Sequence, residues 1–306
     1  MSQIGAPVGL DPALIGEVAA PPFARLPDPA TLFAARAARL RALAPDHALG
    51  PYLDFLAGIA EAQHAVQPKL PAPVLPPADQ LARAREFGMP ALDRPALLDQ
   101  PACAETVRRT LAEAAWLEMP PFAREALGRV AGADDATLRA MAGNVLDNQV
   151  PFDSVAEHAL VAAGLQVHAA RTAALLDAKA LVPVAQGACP TCGGPPGASV
   201  VVGWDGASGA RYCVCALCAT MWNHVRIRCV ACGTGKGISY QEVEGSDGTI
   251  KAECCGECRT YLKIFYQVKN PALDPVADDI ASSALDLLVA ESGVRRSGVN
   301  PFLLGY

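Results

Sequence analysis

Eight of the eleven cysteines in this 306-residue chain form four Cys-x-x-Cys pairs: CPTC (189–192), CALC (215–218), CVAC (229–232) and CGEC (255–258). Two residues between cysteines put both sulfurs on one side of a tight turn. Two such turns supply a tetrahedral thiolate site with metal–sulfur bonds near ~2.3 Å. One pair alone would equally suit disulfide exchange. Four pairs, with no βαβ pattern around them, point instead to two four-cysteine metal sites. The candidate ligands are Cys189, Cys192, Cys215, Cys218, Cys229, Cys232, Cys255 and Cys258. Such ligands suit zinc and mononuclear iron alike. A closed site leaves no open coordination position, so structural support or one-electron transfer remains and hydrolysis does not. His224, six residues after Cys218, could replace a thiolate, but four complete pairs leave it no vacancy.

Spacing indicates how the pairs associate. Twenty-two residues separate Cys192 from Cys215, and twenty-two separate Cys232 from Cys255. The equality reads as a duplication in which Cys213 and Cys254 are additional thiols. It favours joining 189/192 to 215/218 and 229/232 to 255/258. A cross-braced scheme, joining the first pair to the third, is the alternative. Each copy also carries β-forming runs around an Asp-Gly dipeptide, Asp205-Gly206 or Asp247-Gly248, a hairpin signal. Each therefore reads as knuckle, hairpin, knuckle. The first knuckle of each copy ends in Cys-Gly, where glycine permits a tight turn.

The elements that must carry these modules are of another kind. Apolar residues make up 52 % of the chain and aromatics 6 %, with alanine abundant, which favours packed helices. Phe33, Ala37, Leu40 and Ala44 share one helical face, and Tyr52, Phe55, Leu56 and Ile59 share another. Residues 71–77, PAPVLPP, read as an extended linker. Further helices are expected near 79–87, 104–118, 121–131, 135–145, 152–178 and 278–291. The expected organisation is a flexible tail (1–24), a helical domain (25–182), two metal modules (183–271, divided as 185–226 and 227–271), and a C-terminal helix and tail (272–306). The fold class is α+β: an all-α N-terminal domain, a duplicated four-cysteine module of rubredoxin-like or zinc-ribbon type, and a C-terminal helix.

Composition narrows function further. No secretory signal or membrane span is visible, so a cytoplasmic protein is expected, and a reducing compartment favours metal-bound thiolates over disulfides. Between residues 185 and 270 eight Lys/Arg face six Asp/Glu, a balance of +2. Two divalent ions with eight thiolates would bring this to about −2, a poor footprint for nucleic acid. Arg226 and Arg228 with Trp222 and Tyr212 could imitate a base-stacking platform, although packing around the thiolates is the simpler expectation. Asp274, Asp278 and Asp279 read as helix-start acids rather than a cation site. His64 and His158 read as exposed or capping residues, and Cys103 as a buried apolar group.

The ordered motifs CPTCGGPP, RYCVCALCATMWNHVRIRCVACG, KAECCGECRTYLK and ADDIASSALDLLVAESGVRRSGVNPFLL resemble the formate dehydrogenase accessory protein FdhE family. So does LFAARAARLRALAPDHALGPYLDFLAGIAEAQ nearer the start, whereas residues 68–150 contribute little. The resemblance implies a non-catalytic cytoplasmic chaperone for maturation of respiratory formate dehydrogenase, binding its catalytic subunit. It implies iron at two rubredoxin-like sites held by the eight cysteines named above, with Zn2+ as the alternative. Cys254 stands where family members often have another residue. Two other readings remain: a nucleic-acid-binding zinc ribbon, and a thiol or electron-transfer oxidoreductase using Cys213 or Cys254.

Overall fold

Proline and aspartate punctuate the helical half. In the computed structural model, which describes residues 21–303, the helices are α1 (Leu32–Leu43), α2 (Gly50–Val66), α3 (Ala78–Glu86), α4 (Arg94–Asp99), α5 (Pro101–Ala114), α6 (Pro121–Ala131), α7 (Asp135–Asp147) and α8 (Val155–Ala173). Proline occupies the first turn of α2, α4, α5 and α6, where its missing N–H costs nothing. The side chains of Asp93 and Asp134 accept from the Ala96 and Thr137 amides and cap α4 and α7. Residues 71–77 carry no helix or strand. The six-residue α4 was not anticipated, because so short a segment shows no full apolar period.

Alanine and glycine let these helices approach closely. A Cβ built on Gly164 of α8 would stand 2.6 Å from Val107 Cα of α5, inside any tolerable contact. Gly164→Ala is therefore expected to cost about 1–3 kcal/mol through overpacking and to lower the thermal midpoint. Gly143→Ala in α7, where a Cβ would meet nothing within 4 Å, is the control and should leave the melt unchanged or slightly raised.

The second half is one mixed sheet. Its strands are β1 (Ala24–Arg25), β2 (Pro196–Val201), β3 (Arg211–Cys215), β4 (Met221–Asn223), β5 (Ile238–Gln241), β6 (Ile250–Cys255), β7 (Thr260–Phe265) and β8 (Arg295–Arg296). Their order is β1-β4-β3-β2-β7-β6-β5, with β8 also pairing β7. Each module is a three-stranded antiparallel meander, β2–β4 or β5–β7. The first strand of one module pairs in parallel with the third of the other, Ser199 opposite Ile264. The two copies are thus placed side by side in the same sense. The third strand of each module, formed by the residues after its second knuckle, was not expected. Residues 21–24, at the end of the expected tail, are ordered against this sheet: Ala24 pairs with Trp222, and Pro22 O accepts from the Tyr212 hydroxyl. Residues 1–20 of that tail lie outside the described residues.

The Asp-Gly turns are wider than a two-residue hairpin. Nine residues (202–210) and eight (242–249) connect the paired strands, with Gly206, Gly209, Gly245 and Gly248 all at positive φ. Asp247 turns its carboxylate onto the Thr249 amide and hydroxyl, so the aspartate closes an Asx turn instead of entering a tight reverse turn.

The C-terminal segment ties the halves together. The single helix expected near 278–291 is broken at Ser282 into α9 (Ala277–Ala281) and α10 (Ser283–Glu291). The Ser282 amide and hydroxyl both donate to Asp278 O and close α9, while its carbonyl accepts from Lys263 Nζ where the helix would otherwise continue. Ile280 and Phe302 complete the core otherwise built from Leu40, Leu53, Leu56, Val107, Leu111 and Val161. The three aspartates go beyond helix-start acids. Asp274 meets Arg36, Asp278 takes both guanidinium arms of Arg39, and Asp279 meets Lys263 and Arg296. Asp274 also caps, accepting from the Val276 and Ala277 amides, and Asp278 in turn accepts from the Asp274 amide. This ion-paired segment bridges α1 to the sheet.

Candidate metal centres

Each knuckle is a Cys-x-x-Cys turn whose next residue lies in the left-handed region. That residue is Gly193, Ala219, Gly233 or Arg259, with φ between 56° and 75°. Its amide donates to the carbonyl of the first cysteine of the pair in all four turns. Glycine accommodates this φ freely at two of them, while alanine and arginine bear modest strain at the others. The local geometry is repeated four times, which is why four sulfur pairs face two common centres.

The sulfurs gather as the adjacent scheme expects. Cys189, Cys192, Cys215 and Cys218 form one tetrad, and Cys229, Cys232, Cys255 and Cys258 the other, each with its sulfurs within 4.8 Å of one another. In the first, Cys189–Cys218 and Cys192–Cys215 are 3.7 and 3.4 Å apart. In the second, Cys229–Cys258 and Cys232–Cys255 are 3.6 and 3.8 Å apart. These are non-bonded separations, far beyond a disulfide at ~2.05 Å. They match the ~3.8 Å edge of a tetrahedron whose centre lies ~2.3 Å from each corner. The donor set therefore fits a tetrahedral ion.

Electrostatics agree with that fit. Burial pushes the Cys189 and Cys218 thiols well above their ordinary value. Cys215, hydrogen-bonded by Cys189, Cys192 and Cys218, is held well below it. Four thiolates at this spacing would need a central cation. In the second tetrad burial raises Cys229 to about 12. Burial also opposes ionisation of Cys258, yet bonds from Thr260 and the neighbouring thiols bring it down to about 7.

Two threonines escaped the sequence reading. Thr220 Oγ1 lies 3.3 Å from Cys218 Sγ, and Thr260 Oγ1 lies 3.1 Å from Cys258 Sγ. The Thr260 hydroxyl can donate to an ionised Cys258 sulfur and orient it, whereas the Cys218 thiol donates to Thr220 Oγ1, whose own hydrogen goes to Thr191 Oγ1. The signal was present as Cys-x-Thr after each second knuckle, at Cys218 and at Cys258.

Other candidates fall outside the tetrads. Burial raises Cys213 to about 12 and Cys103 to about 11, and raises Cys254 as well, so these thiols stay protonated and unreactive at neutral pH. Cys213 packs with the first tetrad, and Cys254 with Tyr261, Leu285 and Val289. The half-buried His224 ring lies 3.0 Å from Val225 O and joins neither tetrad. His64 is exposed, but His158 is buried, its ring bonded to Ser154 O and Asn144, because it faces inward from α8. The stacking platform does not form. Trp222 is buried beside the cysteines, while Tyr212 packs on Trp204 with ring centroids 5.3 Å apart. Arg226 and Arg228 are exposed and donate to the Gly209 and Gly233 carbonyls. No helix among the described residues is long and apolar enough to cross a membrane.

Comparison with known proteins agrees along the chain. Residues 21–186 match the family model described as "FdhE, N-terminal", residues 188–226 "FdhE, central domain", and residues 227–303 "FdhE, C-terminal domain". The chain is 50 % identical over 302 residues to a Protein FdhE homolog of Rhizobium meliloti, covering 98 % of this chain and 99 % of that one. It is 36 % identical over 274 residues to Protein FdhE of Salmonella arizonae, covering 88 % and 86 %. The crystal structure of the FdhE protein from Pseudomonas aeruginosa superposes with a TM-score of 0.83 at 32 % identity, covering 93 % and 99 %.

Proposed function

The chain belongs to the FdhE family, and on that footing we propose that it is an accessory factor for respiratory formate dehydrogenase. It acts in the cytoplasm on the catalytic subunit and is not itself a catalyst. The observation that carries the reading is the pair of closed sulfur tetrads mounted on a large helical body. A closed tetrathiolate centre has no position for substrate, so hydrolytic chemistry does not belong there. Recognition is assigned to the helical body, which offers far more surface than a simple electron carrier needs.

The eight tetrad cysteines would hold the ions, and Thr260 would orient one sulfur of the second tetrad. We assign iron to both sites, with zinc as the alternative. Iron in such a site supplies one-electron exchange, and a change of charge there would bias two binding states of the protein toward the subunit.

Two measurements test this. Deleting the gene is expected to abolish respiratory formate dehydrogenase activity, and normal activity in its absence would refute the accessory role. Protein purified anaerobically should carry two ions per chain and a red colour that bleaches on reduction. A colourless sample with two zinc ions would remove the redox element and keep the structural one.

A further inference from the structure

The two tetrads are built alike but enclosed differently. In the first, Cys189, Cys192, Cys215 and Cys218 are all buried, none above 3 % exposed. In the second, Cys232 is exposed and Cys258 half-buried. The cause lies outside the duplication. The segment between α3 and α4 lies over the first knuckle: the Ala91 amide donates to Pro190 O at 3.1 Å and the Leu92 amide to Thr191 O at 2.7 Å. A Cβ on Gly193 would stand 2.9 Å from Pro90 Cγ, so the two segments are in direct contact. From another side α8 presses Ala169 and Ala173 into the same apolar cluster as the sulfurs. The corresponding knuckle of the second module meets Gln186, whose amide donates to Val230 O at 2.7 Å, and Cys232 is left open to solvent.

We infer that the two sites divide their roles: the first holds a permanent ion on which the fold is built, and the second is the exchangeable site. This rests on the reading that each tetrad holds one ion. Releasing an ion from the first site requires the helical body to lift from the knuckle, a sub-global opening. At the second, a chelator can approach past Cys232 without it. The exchange involves no redox change: the chelator takes the ion in the oxidation state in which it is bound, and the freed sulfurs take up protons from water.

The test uses the full-length, metal-loaded chain under anaerobic conditions without denaturant, challenged with a chromogenic chelator and, separately, with iodoacetamide. Release should be biphasic, one ion per chain leaving more than about tenfold faster than the other, because only the second escapes local opening. Peptide mass spectrometry should find early adducts on Cys232 and Cys258 and none on Cys189 or Cys218. Cys232→Ser should abolish the fast phase and keep the slow one; should that variant fail to fold, the alkylation pattern of the unaltered chain still decides. Two ions leaving together, or first-tetrad cysteines alkylated as early as Cys232, would overturn the inference and leave the two-ion reading standing. Fewer than two ions in the starting protein would overturn both.

Discussion

Cys192→Ser or Cys215→Ser is expected to abolish the cooperative melt of the sheet half and leave the chain holding at most one ion. A structural tetrathiolate ion contributes apparent binding energy of ~10–16 kcal/mol, all of it folding energy when the site does not exist in the unfolded chain. A whole domain is stable by only ~5–15 kcal/mol. The first module's strands pack Ala198, Val200, Tyr212 and Val214 with Phe265 on one face, but its knuckles have little besides the sulfurs at their centre. Their apolar cluster consists of Cys189, Cys192, Cys213, Cys215 and Cys218 with Ala169, Ala173, Trp222, Val230 and Leu262. Serine would leave a buried hydroxyl among groups that cannot bond it well and would weaken the ion's hold. Circular dichroism with metal analysis reads the result, and an unchanged midpoint with two ions still bound would refute it. The serine variants of Cys232 should lose less.

Asp279→Ala is expected to destabilise the protein by about 3–5 kcal/mol, because removing one member of a buried ion pair strands the others. Asp279 is fully buried, as is Lys263, whose Nζ lies 3.2 Å from it and 2.5 Å from Asp286. Arg296 and the Asn300 amide also hold the carboxylate, the latter at 2.9 Å. Alanine would leave the ammonium and guanidinium facing each other with Asp286 alone between them. The same group makes an acid prediction. Burial works to raise the Asp279 pKa, but Lys263, Arg296 and Asn300 override it and hold the carboxyl below the ordinary range. A depressed folded-state value contributes stability that is complete above the unfolded value of ~3.9 and is lost as pH falls through the folded one. Denaturant midpoints measured down through pH 4 should therefore fall less steeply in Asp279→Ala than in the unaltered chain. Equal slopes would rule out this carboxylate as a source of acid lability.

The sulfur sites were legible because their chemistry is local. Two intervening residues and a repeated 22-residue interval specify which thiols can meet, and the adjacent grouping followed. Helices α1, α2, α5, α6, α7 and α8 were legible from apolar spacing and prolines. What escaped depends on distant partners. Thr260–Phe265 and Met221–Asn223 become strands because partners lie beside them, Ile250–Cys255 and Pro196–Val201 for the former, Arg211–Cys215 and Ala24–Arg25 for the latter. Ser282 breaks a helix that periodicity would continue, because a lysine from the sheet takes its carbonyl. The aspartates at 278 and 279 carry the signature of ordinary helix-start acids, and their basic partners lie as far as 239 residues away. Likewise the unequal cover over two matching knuckles comes from residues 90–92, about a hundred positions upstream of the first.

Joining first strand to third makes the sheet a translated series with a leading and a trailing end, unlike a pair related by rotation, which closes on itself. A series of that kind can in principle grow, each new chain setting its outer third strand against the free first strand of the last, and open-ended contacts of this type make fibres. The two-residue strand at Ala24–Arg25 works as a terminator. It occupies the outer edge of Met221–Asn223 and is clamped there by Arg25, stacked 4.2 Å over Trp204, so each chain arrives with its joining edge already covered.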